Sequence, residues 1–377
     1  MTGSRKLLQV STVSSTLRAF ILPFADHFRR KGWIVDGMAA NIRESKECRA
    51  VFREVFDVDL SRNPWDLRNL LAGVKRIREV VISGGYDIVH VHTPVAAFIT
   101  RLSLRKLRQM GKVRVVYTAH GFHFYRGGPK IKGSIFWILE RIAARWCDVI
   151  VLINKEDFSA ASRLNPRARR YMPGIGVDLR KYNRSSVNPS EVQAIREGWQ
   201  GGSEDFIFIS IGELSRRKRP LDVINAFAGL RAKQAKLVFA GDGPLRAECE
   251  ALVNSLGLNA RVIFLGFTSN VVQALAASDC VILASSQEGL PRCLLESMSM
   301  GVPFIATSIR GTEELLESNG GLGFQVGDVK ALTGHMDKLM EDPSSASRLG
   351  EMGQHEAWRY SLENIVSEHE DLYNSVN

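Results

Sequence analysis

Short apolar runs, each closed by a polar or glycine-containing turn and followed by an amphipathic stretch, recur along this chain. Leu7-Leu8-Gln9-Val10 is the first, a helix-like segment follows through Arg30, Gly32 ends it, and Trp33-Ile34-Val35 begins again. The plan returns at Ile88–His92, Val113–Ala119 and Asp148–Ile153, then at Phe206–Ile211, Leu237–Ala240, Val262–Leu265, Cys280–Ala284 and Phe304–Ala306. Strand, helix, strand at this spacing predicts parallel, doubly wound α/β sheets. A final helix is expected from Ser361 to Tyr373.

At 377 residues, two domains are the natural expectation. The loop Met172–Asp178 and the linker-like stretch to about Ser190 place the boundary, giving a first domain over residues 1–180 and a second over 190–360. The charge balance changes sign at the same place. Residues 1–185 hold 34 Lys and Arg against 15 Asp and Glu, and the remainder 16 against 25. A basic first half suits nucleic acid, an anionic membrane surface or a phosphorylated acceptor, or is simply a solvated face. Its densest part, Arg101–Arg114, interleaves bases with leucines and is expected to form a membrane-surface helix.

Five scattered cysteines without a CxxC pair read as buried thiols in a reducing cytosol. Arg18 interrupts the apolar run after Arg5 and Lys6, so no secretory leader is expected. No window approaches the length of uninterrupted apolar residues a transmembrane helix needs.

The most informative stretch runs from Ser285 to Pro303. An apolar strand enters a loop carrying Glu288 and Gly289, and Pro291 stands where a helix can begin. Leu294, Leu295 and Met298 give that helix an apolar face, and Gly301-Val302-Pro303 ends it. A helix N-terminus at the carboxyl end of a strand favours an anion. Glu288 in the loop and Glu296 in the helix can face one cleft, where carboxylates suit the vicinal hydroxyls of a sugar and a ribose. Upstream, Arg216-Arg217-Lys218-Arg219 follows the strand that ends at Gly212 and precedes a helix. Four bases there suit a diphosphate, or form a solvated turn.

In the first half, His92, His120 and His123 cluster after predicted parallel strands, which marks a candidate site, although they lack the spacing of a known zinc ligand set. The glycine-free loop Thr12–Thr16, with Thr12 and Ser14, lies where a phosphate- or acceptor-binding loop belongs. Asp57-Val58-Asp59 matches a metal-holding pattern and is read as incidental, with no catalytic metal expected.

The string from Glu288 to Pro303, with Gly212-Glu213-Leu214, Lys218, Ala240–Leu245 and Thr118–Pro129, resembles the retaining family-4 glycosyltransferases of the two-domain B-type fold, in the branch that builds bacterial capsular and exopolysaccharides. The resemblance covers nearly the whole chain. It implies two Rossmann-like domains facing a central cleft, with the final helix, residues 361–377, joining the first. It also implies a nucleotide-sugar donor in the second domain, with Glu288 on sugar hydroxyls, Lys218 on the diphosphate, Glu296 on the ribose and the amides near Gly289 and Leu290 close to the donor. Gly212, Arg217 and Pro291 complete the donor-binding set. His120 is expected to reach the donor sugar, and His92, His123, Thr12 and Ser14 the acceptor. Two departures stand out: Glu213 replaces an arginine found in many members, so Arg217 or Arg219 must share the phosphate role, and the first loop lacks glycine.

The expected activity is retaining transfer of a hexose or N-acetylhexosamine, UDP-linked, to a polyprenyl-diphosphate-linked glycan, without metal or other cofactor. The place expected is the inner face of the plasma membrane, and no nucleic-acid partner is implied. A sugar-nucleotide epimerase of the same fold, or a non-catalytic glycan- or membrane-binding scaffold, are the alternatives.

Overall fold

Thirteen strands form two all-parallel sheets in the computed structural model, which describes residues 4–61, 66, 69–125, 127–199, 202 and 205–376. The first holds β1 (Lys6–Val13), β2 (Ile34–Ala40), β3 (Val55–Asp57), β4 (Ile88–His92), β5 (Arg114–Ala119), β6 (Val149–Leu152) and β7 (Arg169–Tyr171), ordered β3-β2-β1-β4-β5-β6-β7. The second holds β8 (Phe206–Ile211), β9 (Ala235–Ala240), β10 (Val262–Gly266), β11 (Cys280–Leu283), β12 (Phe304–Thr307) and β13 (Gly321–Phe324), ordered β10-β9-β8-β11-β12-β13. The central strands are buried along nearly their whole length, which is why they read as continuous apolar runs.

Each sheet reverses its strand order once, between β1 and β4 and between β8 and β11. Loops leaving the carboxyl ends of the strands on either side diverge there and open a crevice, where open α/β sheets bind ligands.

The chain divides into two compact units, Met1–Ile175 with Ile365–Asn377, and Gly176–Asn364. The linker-like stretch ahead of Ser190 falls inside the second unit, where Arg184–Ser186 makes one turn and Pro189–Gly198 is a helix. The helix Leu362–Ser375 gives most of its length to the first unit, where Leu372 and Tyr373 are buried in one core cluster with Leu7, Phe28 and Val116.

Two expectations are corrected. The segment Thr12–Thr16 is no loop: β1 runs on to Val13, and helical backbone begins at Ser14. Arg101–Arg114 is no membrane-surface helix. The helix Pro94–Gln109 buries Arg101 completely and leaves Arg108 only 6% exposed. Arg101 Nη2 lies 2.8 Å from Oε2 of Glu140, and its guanidinium lies over the Tyr117 ring at 4.3 Å. Arg108 Nε lies 3.1 Å from Asp148. These bases are internal counter-ions.

All five cysteines are buried and free. Asp57 ends β3 and faces Arg43, whose Nε lies 3.5 Å from its carboxylate. Among the described residues, no helix is long and apolar enough to cross a membrane.

Candidate active site

In the second unit, β8 delivers Gly212 and then the turn Glu213–Arg219, while the neighbouring β11 delivers Ser285–Pro291. Two backbones meet closely at the end of β8: a Cβ on Gly241 would stand 1.9 Å from the carbonyl oxygen of Gly212, so glycine is required. A Cβ on Gly212 would lie 3.3 Å from Cε of Lys218, so the bare backbone leaves the lysine its path.

Lys218 Nζ lies 2.7 Å from Oε1 of Glu288, and Nη1 of Arg217 reaches the same oxygen at 2.8 Å and the Gln287 carbonyl at 2.9 Å. Burial opposes ionisation of Glu288, but the two cations outweigh it and hold the carboxyl below its usual range. Arg219 turns away to Asp222 at 2.6 Å, and Glu213 is exposed. Of the two arginines proposed to stand in for the missing one, the structure brings Arg217 to the site.

Behind this cluster the helix Arg292–Ser299 begins, with Pro291 at its N-cap. Arg310 Nε donates to the Glu288 carbonyl at 3.1 Å, and a Cβ on Gly311 would stand 2.0 Å from the Gly289 carbonyl oxygen, so the loop is shaped by a tight neighbour. Glu296 is 6% exposed and paired with Arg292 at 3.0 Å. Tyr182 also hydrogen-bonds Glu296, and burial together with that carboxylate pushes the phenol's pKa up. Cys293, in the first turn of the same helix, is buried, and burial raises its thiol to about 11. Neutral at physiological pH, that thiol is not a nucleophile.

In the first unit the histidines follow a different grouping from the one expected. His92 and His120 meet, Nδ1 to Nε2, at 3.2 Å, and the His90 ring lies tilted against His92 with centroids 4.4 Å apart. His369 of the last helix joins at 5.8 Å from His90. His123 stands apart, packed on Phe136 at 4.7 Å, because Phe122 turns inward and its amide donates to Asp157. Burial lowers all four clustered histidines, His120 and His369 to about 4; repulsion from neighbouring histidines adds to it at His90, His92 and His120, and the Arg170 charge adds to it at His369. At neutral pH they are uncharged.

One assignment of protons satisfies this network. The phenol is a better donor than acceptor, so Tyr373 donates to His90 Nδ1 at 2.6 Å, and His90 Nε2–H then donates to Thr118 at 2.7 Å. Tyr373 accepts from Gln9 Nε2 at 3.3 Å, which leaves Gln9 Oε1 to accept from His92 Nε2–H at 2.9 Å. His92 Nδ1 is therefore an acceptor, His120 Nε2–H its donor, and His120 Nδ1 carries a lone pair.

Thr12 and His123 line a cavity of about 280 Å³ with Thr16, Thr93 and Phe136. Thr12 is already engaged, its hydroxyl 2.8 Å from that of Thr93. Ser14 does not line this cavity; it opens the following helix.

Two family models match the chain, "Glycosyltransferase Family 4" over residues 19–165 and "Glycosyl transferases group 1" over 191–356. Bacillus subtilis EpsD, which carries a glycosyltransferase name, is 33% identical over 377 residues, covering 99% of this chain and 97% of that protein. The chain belongs to the family-4 glycosyltransferases. An Escherichia coli relative of this glycosyltransferase, UDP-Gal:alpha-D-GlcNAc-diphosphoundecaprenol alpha-1,3-galactosyltransferase, is 26% identical over 286 residues, 74% of this chain and 71% of that one. The crystal structure of Anabaena HepE in complex with UDP and glucose superposes with a TM-score of 0.81 over 98% of this chain and all of that one, at 20% identity. The fold is thus the B-type glycosyltransferase fold.

Several residues of these two clusters, one in each unit, escaped the sequence. Tyr182 lies in what reads as linker, and Arg310 and Gly311 sit beyond the motif. Gln9, His90, His369 and Tyr373 come from three separate stretches, and only the strand pairing of β1 with β4 and the return of the last helix unite them.

Proposed function

We propose that this glycosyltransferase moves a hexose or N-acetylhexosamine from UDP to a polyprenyl-diphosphate-linked glycan, with retention at the anomeric carbon, at the inner face of the plasma membrane. The product would serve cell-surface polysaccharide synthesis. The observation that carries the reading is the pair Lys218 and Arg217 gathered on Glu288 beside the first turn of the helix Arg292–Ser299. When the bond between the anomeric carbon and the diphosphate breaks, negative charge grows on the leaving oxygen. Two cations and a helix N-terminus stabilise that charge more in the transition state than in the bound donor. These cations supply the neutralisation, and the reading requires no metal.

Uridine as the base is supported by the HepE complex, and a diphosphate-linked lipid acceptor by the name of the E. coli relative. Retention follows from front-face attack. The acceptor oxygen bonds to the anomeric carbon on the face the diphosphate leaves, and its proton passes to the leaving phosphate oxygen. Glu288, held by two cations, serves sugar hydroxyls in this scheme.

Thermal stabilisation by a panel of nucleoside diphosphates and their sugars tests the donor. Uridine nucleotides should raise the melting temperature of the wild type and not of Glu296→Ala. A rise with another base alone would replace uridine, and no rise with any would remove the reading. An inverted product by NMR would exclude the front-face route.

A further inference from the structure

The helix Lys130–Ala143 turns an apolar crest outward. Ile131, Ile135, Ile138 and Ile142 are 81%, 36%, 51% and 48% exposed. At 100° per residue they fall within about 60° of one another and span about 16 Å along the axis. Isoleucines at this spacing ordinarily face a core, but here the opposite side does so, through Gly133, Glu140 and Ala143.

Charge on this helix is one-sided. Lys130, Lys132 and Arg141 are exposed, as is Arg145 in the next turn, whereas the sole acid, Glu140, is buried against Arg101. Lys132 lies about 100° to one side of the crest, and Lys130 and Arg141 lie about 80–100° to the other. Trp137 is half-buried with Arg141 over its ring at 5.2 Å. A cavity of about 850 Å³ adjoins the crest, lined by Phe124, Tyr125, Lys130, Trp137 and Ile138 among others.

We propose that this helix docks the protein on an anionic bilayer, with the isoleucines entering the boundary between headgroups and acyl chains and the flanking bases lying among the headgroups. Basic rims around an apolar crest complement a surface that is anionic outside and apolar beneath. The purpose rests on the reading of a lipid-linked acceptor, whereas the geometry does not. The docking helix differs from the one expected from sequence, since Arg101 and Arg108 are internal.

The test floats the full chain with vesicles of phosphatidylcholine alone or with phosphatidylglycerol, comparing wild type with I131N/I138N and with K130E/K132E. Binding to the anionic vesicles is expected, weakened by high salt and lowered at least about tenfold in both variants. Both should keep the wild-type melting temperature and its rise with nucleotide, because the altered side chains are exposed. Variants that float like wild type would overturn the proposal, as would a wild type that ignores vesicles but self-associates through the crest. Loss of the nucleotide response in the wild type would instead strike the donor reading and leave the docking result standing.

Discussion

Lys218 Nζ and Glu288 Oε1 stand 2.7 Å apart with Arg217 on the same oxygen, so the cations assigned to the donor's diphosphate are paired with protein carboxylate before any donor arrives. A diphosphate must share or displace that carboxylate. Glu288→Gln is expected to bind a bare nucleoside diphosphate several-fold more tightly by calorimetry while losing transfer. Lys218→Ala should weaken the same ligand and lower kcat by about 10²–10³, the usual loss on removing one stabiliser of developing negative charge.

The hydrogen-bond chain from Tyr373 through Gln9 and His92 sets the lone pair on His120 Nδ1. Histidine ¹⁵N spectra should show His120 neutral and protonated at Nε2. Gln9→Leu is expected to scramble that tautomer and lower kcat while nucleotide affinity stays unchanged. An Nδ1–H tautomer in the wild type would reverse the assignment.

Acid should destabilise the first unit ahead of general carboxylate titration. His120 and His369 are depressed to about 4, chiefly by burial, so between pH 6.5 and 4 the unfolded chain binds protons that the folded chain refuses. Stability is full above the unfolded value and falls as pH drops, by up to about 1.4 kcal/mol per pH unit for each histidine. His369→Gln should flatten the dependence of melting temperature on pH in that window.

Arg101 and Glu140 form a buried pair with side chains 0% and 9% exposed. Glu140→Ala strands the guanidinium and should cost about 3–5 kcal/mol, whereas replacing both partners by Met should recover most of it. Chemical denaturation followed at Tyr and Trp would compare the two.

Where strands are rich in Val, Ile and Phe, as in β4, β5, β8 and β11, local sequence announces them. Two edge strands escape this signal. In β7 the residues are Arg169-Arg170-Tyr171 and in β13 Gly321–Phe324, and each owes its extended state to a neighbour already in the sheet. The two-glutamate element was legible because its chemistry lies within sixteen residues, and Arg217 because it adjoins Lys218. Arg101 misled because its partner lies 39 residues away, and nothing local separates a buried counter-ion from a surface base. His123 was grouped with His92 and His120 by spacing, but the inward turn of Phe122 sends it to another surface.

Tyr373 fills the first unit's core from the far end of the chain, 0% exposed and bonded to both Gln9 and His90. During synthesis, β1 to β7 emerge from the ribosome long before the helix that seals them. Until then the first unit presents an open apolar seam around Phe28 and Val116. All of the second unit's residues precede the stretch that closes the first, so the first unit's core is the later of the two to be completed.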